Sequence, residues 1–429
     1  ARGMSLAMND SELRAVVVGG GVVGVCCAYF LALRGASVTL LERDEIGRAA
    51  SFGNAGLISP GHPPINRPGR VAQALRSMGD RLSPLYIEPR WDPGLIRWLW
   101  SFRKHCTASH VEHSMTSLAP LGHRTTDLFD ELVNGEGLDC DYRATGYLEV
   151  FDTPAGLESG REETEVVERH GFAPEFLSGP ALREREPLFG PGLQGGWYHD
   201  EGTVIDPYRF VTELAARARA RGATIRTGVE VREITSEHGS VTGLRTSENE
   251  HLAADAVVLA TGAYSPALMA SLGCPVPIQP AKGYHADRNR EDADTPDLAM
   301  PCLLGERAVF CSPMPDHVRM AGTLEFSGLN LDLRRDRLEQ LDAAARRYFE
   351  VGELSEPVSE WCGLRPCTPD GLPVIGRVPN FEGAFVATGH AMLGLTLGPI
   401  TGSLVADLVV RGTAPLPLEA FRPERFARR

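Results

Sequence analysis

The N-terminal part of the chain shows the clearest succession of apolar runs and turn residues. Residues 16–18 are all valine and end at Gly19, a longer apolar segment continues to Leu33, and a further run over residues 38–41 ends at Glu42. A short β-branched run, a segment of helical length and a second short run predict a strand, a helix and a strand. The pattern therefore predicts a β-α-β unit at the start of an α/β protein.

Three glycines lie at the predicted turn from the first strand into the helix. Gly19, Gly21 and Gly24 have the spacing G-x-G-x-x-G. The first permits a tight turn, the second lets a pyrophosphate approach the backbone, and the third lets helix and strand pack closely. Glu42 can accept hydrogen bonds from both hydroxyls of an adenosine ribose and would repel a 2′-phosphate. The motif predicts FAD or NAD as ligand, with a glycine-rich turn in another parallel sheet as the alternative.

The segment after this unit is rich in small residues. Residues 50–61 read ASFGNAGLISPG, and the proline-rich GHPPINRPG follows over residues 61–69. Small side chains let the backbone lie close to a large flat ligand, which Ser51 and Asn54 can hydrogen-bond. An isoalloxazine ring is such a ligand, so the segment favours FAD over NAD. A flexible surface loop, the alternative, would carry more charge and fewer apolar residues.

Two later segments have the apolar spacing of helices. Asp206 and Pro207 give a helix start and Gly222 gives a stop, with an apolar face between them formed by Phe210, Val211, Leu214 and Ala218. Two or three strands are predicted over residues 240–262, and an amphipathic helix over residues 395–410. The α/β pattern thus extends to the C-terminal part of the chain.

Composition narrows the class of protein. The chain has 429 residues and a net charge of −13 without a basic run, which argues against nucleic acid as a partner. Its nine cysteines include no C-x-x-C pair, which is typical of reduced thiols in a cytoplasm rather than of disulfides or a metal site. The uncharged segment 15–33 reaches the length of a membrane span, but its four glycines favour a buried strand and helix.

Three segments, in order, resemble the FAD-dependent D-amino acid oxidase family. The first is GGGVVG with the following LLERDEIGRAASFGNAGLISPG, and the second is VVLATGAYS. The third is the C-terminal WCGLRPCTPDGLPVIGRVPNFEGAFVATGHAMLGLTLGPITGSLVADLVV. The resemblance covers about the full chain and is closest to the bacterial D-amino acid dehydrogenase and glycine oxidase members.

The resemblance implies a two-domain α/β fold. A Rossmann-like, discontinuous FAD-binding domain is expected over residues 13–88, 203–270 and 360–429. A mixed α+β substrate domain is expected over residues 89–202 and 271–359, so that the chain enters it twice.

The resemblance also implies which residues bind FAD. The position of a flavin-linking cysteine in sarcosine oxidase-like members is Gly363 here, so FAD is expected to be non-covalent. Val231 matches a backbone contact to adenine, residues 260–262 match the turn near the pyrophosphate, and residues 394–396 begin a helix whose N-terminus favours negative charge on the flavin. The residues expected to contact FAD are Gly19, Gly21, Val22, Val23, Gly24, Glu42, Arg43, Ser51, Asn54, Ala55, Gly56, Leu57, Val231, Ala260, Thr261, Gly262, Gly363, Met392, Leu393, Gly394, Leu395 and Thr396.

The reaction implied is oxidative deamination of a D-amino acid, or of a D-proline or hydroxyproline type substrate, by hydride transfer from Cα to flavin N5. Arg365 matches an arginine that binds the substrate carboxylate, with pairing to Asp370 or Glu360 as the alternative. Tyr284 is expected to hydrogen-bond the substrate, with a core tyrosine as the alternative. His390 is expected to shape the loop before the last helix, bonded to backbone.

Other functions stay open at this point. A glycine- or sarcosine-type amine oxidase is one alternative, although Met392 stands where glycine oxidase-like members have a second arginine. A flavin-carrying subunit of a heteromeric dehydrogenase is another. The expected partners are a small amino acid and an electron acceptor, O₂ or a quinone, in the cytoplasm, with no metal. Trp91 and Trp100 lie off the apolar stripe of their predicted helix, so peripheral contact with the inner membrane or a partner subunit is a further expectation.

Overall fold

A computed structural model describes residues 13–77 and 83–427 of the chain. The predicted FAD-binding segments 13–88 and 360–429 also contain residues 78–82 and 428–429, which lie outside the described residues. Within the described part, the chain forms ten α-helices and twenty strands in two large and two small sheets.

The helices are α1 (Val22–Leu33), α2 (Arg70–Ser77), α3 (Pro93–His105), α4 (Ala108–Glu136), α5 (Pro154–Arg169), α6 (Gly179–Arg185), α7 (Pro207–Ala220), α8 (Ser265–Ser271), α9 (Arg335–Tyr348) and α10 (Gly394–Val410). The strands are β1 (Arg14–Val18), β2 (Ser37–Leu41), β3 (Leu57–Ile58), β4 (Leu85–Ile87), β5 (Tyr147–Phe151), β6 (Glu175–Ser178), β7 (Gly195–His199), β8 (Thr203–Val204), β9 (Thr224–Arg226), β10 (Val231–Glu237), β11 (Ser240–Thr246), β12 (His251–Ala253), β13 (Ala256–Leu259), β14 (Gln279–Asn289), β15 (Cys302–Leu304), β16 (Val309–Pro313), β17 (His317–Phe326), β18 (Ser359–Cys367), β19 (Val374–Arg377) and β20 (Ala384–Thr388).

The first large sheet contains the predicted β-α-β unit. Its order is β19-β20-β13-β1-β2-β9, with β19 antiparallel to β20 and the other neighbours parallel. β13 and β20 are fully buried and β1 nearly so, as expected for a parallel sheet covered on both faces. The strands predicted over residues 16–18 and 38–41 are confirmed as β1 and β2, and the helix between them as α1.

Helices α1, α7 and α10 share one hydrophobic cluster beside this sheet. The predicted helix starting at Pro207 and the predicted helix over residues 395–410 are confirmed as α7 and α10. α10 is buried over most of its length, so it lacks the polar face of an amphipathic helix. Arg34, at the end of α1, donates to both carboxylate oxygens of Asp407 in α10, at 2.9 and 2.8 Å. This ion pair joins the two buried helices.

The second large sheet is mostly antiparallel. Its order is β18-β14-β17-β16-β15-β5-β7-β6, and β4 pairs with β17 outside that order. β14 lies between β18 and β17 and is antiparallel to both. Helix α9 packs on β14 and β17 through a second hydrophobic cluster. The neighbouring strands β18, β14 and β17 all contribute residues to the cavity described below.

Sheet membership differs from the predicted domain division at two places. The prediction assigns residues 85–87 and 360–367 to the FAD-binding domain, but β4 and β18 pair with strands of the second sheet. β18 pairs with β14 along its whole length, from Ser359 opposite Asp287 to Cys367 opposite Gln279. The chain therefore returns to the first sheet only after Cys367.

The uncharged segment over residues 15–33 folds as β1, the glycine turn and α1. The interpretation as a buried strand and a buried helix is confirmed. In residues 13–77 and 83–427, no helix has both the length and the apolar character that crossing a bilayer requires.

Candidate active site

One large cavity extends from the glycine turn after β1 to the end of β18. Its volume is about 2460 Å³, well above the roughly 300–1,000 Å³ of a typical small-ligand pocket. The ends of β1 and β2 and the residues that follow β13 line one part of the cavity, and residues of β14, β17 and β18 line another. Both large sheets therefore contribute to one continuous space, large enough in volume to hold a dinucleotide together with a second molecule.

The three glycines of the turn are required for different reasons. Gly19 has a φ of +110°, and a Cβ there would lie 2.5 Å from the carbonyl oxygen of Ala260. A Cβ on Gly24 would lie 1.8 Å from the carbonyl oxygen of Gly19. In the described chain, a Cβ on Gly21 would meet nothing closer than Ser51 Oγ, at 3.4 Å. Protein packing does not explain Gly21, and the open space beside it fits a ligand phosphate that approaches the backbone.

Glu42 is held by backbone groups at the end of β2. Its Oε2 accepts from the N–H of Gly20 at 2.6 Å, and its Oε1 accepts from the N–H of Asp44 at 2.8 Å. A carboxylate has about four acceptor positions, so these bonds leave capacity for ribose hydroxyls. A Cβ on Gly20 would lie 2.9 Å from that of Glu42. The G-x-G-x-x-G spacing does not indicate this second role of the turn, in which Gly20 lets the carboxylate fold back onto it.

The N-terminus of α1 faces the cavity. The N–H of Val22 donates to Ser51 Oγ at 3.0 Å, so Ser51 satisfies one of the unpaired groups of the first helical turn. Val22 and Val23 line the cavity, and the first turn of α1 contains no acidic residue. The positive end of the helix dipole is thus available to a phosphate.

Residues 50–57, here called the flavin loop, pack closely against the second sheet. The N–H of Gly56 donates to Asn54 Oδ1 at 2.8 Å, so the Asn54 side chain shapes the loop. A Cβ on Gly53 would lie 2.0 Å from the ring of Trp361 in β18. The small residues of the loop therefore make room for a protein side chain as well as for the cavity.

Arg319 of β17 holds the flavin loop from the second sheet. Its Nη1 donates to the carbonyl oxygens of Phe52 and Asn54, both at 3.0 Å. Its Nε and Nη2 donate to the two carboxylate oxygens of Asp287 in β14, both at 2.9 Å, within a buried ion pair. Burial alone would raise the pKa of Asp287, but hydrogen bonds and charge from Arg319 lower it overall. Arg319 was not predicted as a partner of the loop, because no spacing in the sequence relates the two.

The first turn of α10 also lies at the cavity. Gly394, Leu395 and Thr396 line it, and the N-terminal N–H groups of a helix favour negative charge. The N–H of Ser59 donates to Thr396 Oγ1 at 3.2 Å, which ties the start of α10 to the chain just after the flavin loop. Two helix N-termini thus meet one cavity, which fits a ligand with a pyrophosphate and a flavin that becomes negative on reduction.

His390 lies in the turn that leads into α10. Its Nε2 lies 2.9 Å from Thr401 Oγ1. The expectation that the imidazole bonds to backbone is therefore wrong, because its partner is a side-chain hydroxyl. Burial lowers the pKa of His390 to about 3, and the imidazole is neutral at pH 7. His390 therefore adds no positive charge to this end of the cavity.

Arg365 of β18 lines the cavity and is half-buried. Its Nη1 donates to the carbonyl oxygen of Thr323 in β17 at 2.7 Å. Burial lowers the pKa of Arg365, and no carboxylate of the described chain offsets that shift. A guanidinium in such a position retains unused donors for an anionic ligand.

The two carboxylates considered as partners of Arg365 bind other cations. Asp370 pairs with Arg425 at 2.7 Å, and Glu360 pairs with Arg335 at 2.6 Å. The geometry therefore favours the ligand-binding interpretation of Arg365 over the structural one.

Tyr284 lies in the core of the second sheet. Its hydroxyl donates to Glu325 Oε2 at 2.8 Å, and Glu325 Oε1 lies 3.2 Å from Lys282 Nζ. All three side chains are buried, and burial together with Glu325 raises the pKa of Tyr284. The preceding residue, Gly283, lines the cavity. The geometry favours the core alternative for Tyr284.

The residues predicted to contact FAD line this cavity, except Gly24 and Gly56. Gly24 is required for the approach of α1 to the turn, and a Cβ on Gly56 would lie 2.3 Å from the carbonyl oxygen of Ile205. Both glycines thus serve protein packing. Contact of each remaining residue with FAD stays a prediction.

The cysteines near Gly363 are ordinary thiols. Cys362 Sγ donates to the carbonyl oxygen of Leu331 at 3.2 Å, and burial raises the pKa of Cys367 to about 12. A Cβ on Gly363 would lie 2.1 Å from the ring of Trp361. Over residues 13–77 and 83–427, no cluster of three or more metal-ligating side chains occurs.

Helix α3 and the residues just before it carry two exposed tryptophans, Trp100 in the helix and Trp91 ahead of it. Trp98 is 3% exposed, whereas Trp91 and Trp100 are 87% and 59% exposed. The guanidinium of Arg103 lies 5.5 Å from the ring centroid of Trp100. What these side chains contact stays a prediction.

Comparison with known proteins gives a family and a set of relatives. The family model described as FAD dependent oxidoreductase (DAO) matches residues 14–408. The D-amino acid dehydrogenase of Methylobacterium nodulans is 35% identical over 409 residues, covering 94% of this chain and 96% of that protein. The D-amino acid dehydrogenase of Xanthobacter autotrophicus is 33% identical, covering 94% of this chain and 96% of that protein.

Solved structures share the fold. Glycine oxidase from Geobacillus kaustophilus has a TM-score of 0.77 at 24% identity, covering 97% of this chain and all of that chain. L-proline dehydrogenase from P. horikoshii has a TM-score of 0.74 at 20% identity, covering 97% of this chain and 98% of that chain. At such identities the likeness shows the fold alone. The predicted α/β fold, with a Rossmann-like FAD-binding part and a mixed second part, is confirmed.

Proposed function

Because the chain belongs to the family of FAD-dependent oxidoreductases, we propose that it oxidises the Cα–N bond of a D-amino acid. FAD is the cofactor of the family, as the sequence predicts. The D-amino acid dehydrogenases among its relatives support the substrate class. The observation that carries the proposal is Arg365, which lines the cavity without a carboxylate partner in the described chain.

Arg365 supplies what an amino acid substrate requires. A guanidinium can bind a carboxylate through two parallel N–H bonds, which fixes both the position and the orientation of the attached Cα. One N–H is already used by the Thr323 carbonyl, which leaves the others for the substrate. The anchor lies in the same cavity as the glycine turn, so an amino acid held by Arg365 shares that space with the cofactor.

The residues around the cavity fit FAD in several places. The open side of Gly21 and the N-terminus of α1 would hold the pyrophosphate, Glu42 the ribose, and the flavin loop with the N-terminus of α10 the flavin. When bound, FAD would supply the acceptor for the hydride that leaves Cα. The amine loses a proton to solvent, and water hydrolyses the resulting imino acid to an oxo acid and ammonia. Arg365 orients Cα throughout, and this catalysis is mainly positioning.

The proposal is tested by anaerobic reduction of the flavin, followed at about 450 nm, where oxidised flavins absorb. The purified protein is mixed in turn with D-alanine, D-proline, L-alanine, glycine, sarcosine and D-alanine amide. We expect bleaching by a D-amino acid but not by its L-enantiomer or by the amide, which lacks the carboxylate that Arg365 would bind. Equal bleaching by D-alanine and its amide would contradict the role of Arg365.

The same experiment separates the alternative functions. Bleaching by glycine and sarcosine alone would favour the amine oxidase alternative, although Met392 lines the cavity where a second arginine is expected in glycine oxidase-like members. A yellow protein that no compound bleaches would favour a flavin-carrying subunit. Rapid reoxidation on admitting air would identify O₂ as the acceptor, and slow reoxidation that a soluble quinone accelerates would identify a quinone. The exposed Trp91 and Trp100 support peripheral contact with a membrane surface or a partner subunit.

A further inference from the structure

The antiparallel pairing of β14 with β17 is interrupted beside the cavity. Lys282 pairs with Glu325, and Tyr284 pairs with Gly322. Gly283 alone therefore lies opposite two residues, Thr323 and Leu324, which is a β-bulge. A bulge changes the direction of the backbone groups within it. Here it occurs where the second sheet meets the cavity.

Thr323 has an unusual backbone conformation in this bulge. Its φ is +61°, a region that β-branched residues rarely adopt. Its buried Oγ1 has no hydrogen-bond partner in the described chain, so no side-chain bond offsets the unfavourable backbone. Its carbonyl oxygen, in contrast, accepts from Arg365 Nη1 at 2.7 Å. Unfavourable conformations of this kind are retained where the surrounding structure imposes them, often at functional sites.

Gly283, the β14 residue of the bulge, lies between Thr323 and Arg365. Arg365 is on β18, on the opposite side of β14 from Thr323, so its side chain must cross β14 to reach the carbonyl. It crosses at Gly283, where a Cβ would lie 2.2 Å from Nη1 and 2.3 Å from both Cζ and Nη2. The guanidinium therefore lies against the Gly283 backbone, in space that any other residue would fill.

We propose that Gly283 and Thr323 are positioning residues for Arg365, the first by leaving space for the guanidinium and the second by holding Nη1 through its carbonyl. We call these three residues the Arg365 corner. With Nη1 fixed and one face of the guanidinium covered, the remaining N–H groups keep one direction toward a ligand. This inference rests on the proposed function, in which that ligand is the carboxylate of an amino acid.

The test is Gly283→Ala in the FAD-loaded enzyme, using the amino acid that bleaches the flavin. The added methyl displaces the guanidinium, so we expect KM to rise roughly 10- to 100-fold, as for the loss of a charged hydrogen bond. We expect kcat to fall as well, because the displaced guanidinium no longer orients Cα, and the FAD dissociation constant to stay unchanged, because the change acts on the substrate anchor. The control is Gly135→Ala in α4, where a Cβ meets nothing within 4 Å.

Arg365→Lys separates this inference from the proposed function. If Arg365→Lys leaves KM unchanged, the anchor itself is wrong. If Arg365→Lys raises KM but Gly283→Ala behaves like Gly135→Ala, the anchor stands and the positioning role of Gly283 is overturned. If both raise KM, the double variant should show no higher KM than Arg365→Lys alone, because Gly283 acts only through that side chain. If the KM of the double variant instead rises by the product of the two single increases, Gly283 acts independently of Arg365 and the inference is overturned.

A second variant covers the case in which Gly283→Ala does not fold. Thr323→Gly keeps the carbonyl and suits a positive φ, so we expect a melting temperature no lower than that of the unmodified enzyme. Glycine also frees the carbonyl to reorient, so we expect KM to rise about 3- to 10-fold with the FAD spectrum unchanged. An unchanged KM in this folded variant would overturn the positioning role of Thr323.

Discussion

The glycine turn and the Arg365 corner both depend on glycines at which a Cβ would collide, but with different kinds of neighbour. At the turn, the collisions at Gly19 and Gly24 are with backbone carbonyl oxygens a few residues away or on the adjacent strand. At the corner, the collision at Gly283 is with the side chain of Arg365, which comes from another strand far along the chain. The turn is thus part of the fold itself, whereas the corner makes room for one long side chain at the cavity.

Because of this difference, substitutions in the two regions should affect different properties, the stability of the fold in one case and the binding of substrate in the other. A substitution at Gly19 or Gly24 must move backbone atoms, and backbone atoms of a buried parallel sheet cannot shift without disturbing their neighbours. A substitution at the corner can be accommodated by moving the end of a long, flexible side chain. Damage at Gly19 or Gly24 should therefore appear first in folding, and damage at the corner first in the affinity for substrate.

The largest effect is expected for Gly24→Ala. Its Cβ would lie 1.8 Å from the Gly19 carbonyl oxygen, so α1 must move away from β1. We expect a loss of stability on the order of 3 kcal/mol or more, with FAD binding lost as a consequence. Thermal unfolding of the protein after removal of FAD measures the first effect, and fluorescence titration with FAD measures the second.

Gly21→Ala is the matched variant within the same motif. Its Cβ would meet only Ser51 Oγ, at 3.4 Å, so we expect the stability without FAD to change by less than about 1 kcal/mol. The FAD dissociation constant should still rise, by roughly 10-fold or more, because the methyl occupies the space for the pyrophosphate. Equal destabilisation of the FAD-free protein by both variants would mean that the motif serves packing alone.

The sequence predicts the turn far better than the corner. Gly19, Gly21, Gly24 and Glu42 lie within one β-α-β unit, so their spacing alone implies their arrangement. The bulge at Thr323 has no such local pattern, because its geometry depends on the register between two strands. β14 is also buried along almost its whole length. Without alternation of polar and apolar residues, no pattern indicates which side of β14 Tyr284 occupies.

Partners from distant parts of the chain were missed for the same reason. Arg319 contacts the flavin loop only because β17 lies beside it in the folded protein, and Thr401 reaches His390 across the first turns of α10. Arg365 was predictable because the segment around it resembles a known family, whereas its carbonyl partner was not.

Arg319→Lys tests how far the second sheet determines FAD binding. Lysine can retain the ion pair with Asp287 but cannot also donate to the carbonyls of Phe52 and Asn54 with the same planar geometry. We expect the FAD dissociation constant to rise about 10-fold, as for the loss of one or two hydrogen bonds, with a shifted flavin absorption spectrum in the loaded enzyme.

Arg290→Lys is the control for that variant. Arg290 also bonds an aspartate, Asp297, and a backbone carbonyl, that of Met314, but it does not bond the flavin loop. The Arg290→Lys substitution should leave the FAD dissociation constant and the flavin spectrum unchanged. If both variants weaken FAD binding equally, the effect of Arg319 is a general loss of stability, and the flavin loop does not depend on this contact.

The smallest effect on catalysis is expected for Tyr284→Phe, next to Gly283 in the chain. The hydroxyl of Tyr284 donates to Glu325, which also faces Lys282, so its removal deprives a buried carboxylate of one hydrogen bond. We expect a loss of about 1–3 kcal/mol in stability, measured by urea unfolding of the loaded enzyme. KM should change less than about twofold, because the hydroxyl is engaged in the core of the second sheet.

Tyr284→Phe and Gly283→Ala together test the comparison between fold and site at adjacent residues. Successive residues of a strand point to opposite faces, and here one face is the cavity and the other a buried polar network. Gly283→Ala should raise KM with little loss of stability, and Tyr284→Phe should do the reverse. If Tyr284→Phe instead raises KM by about 10-fold or more, this tyrosine acts on the substrate. The boundary between site and scaffold would then not follow the two faces of β14.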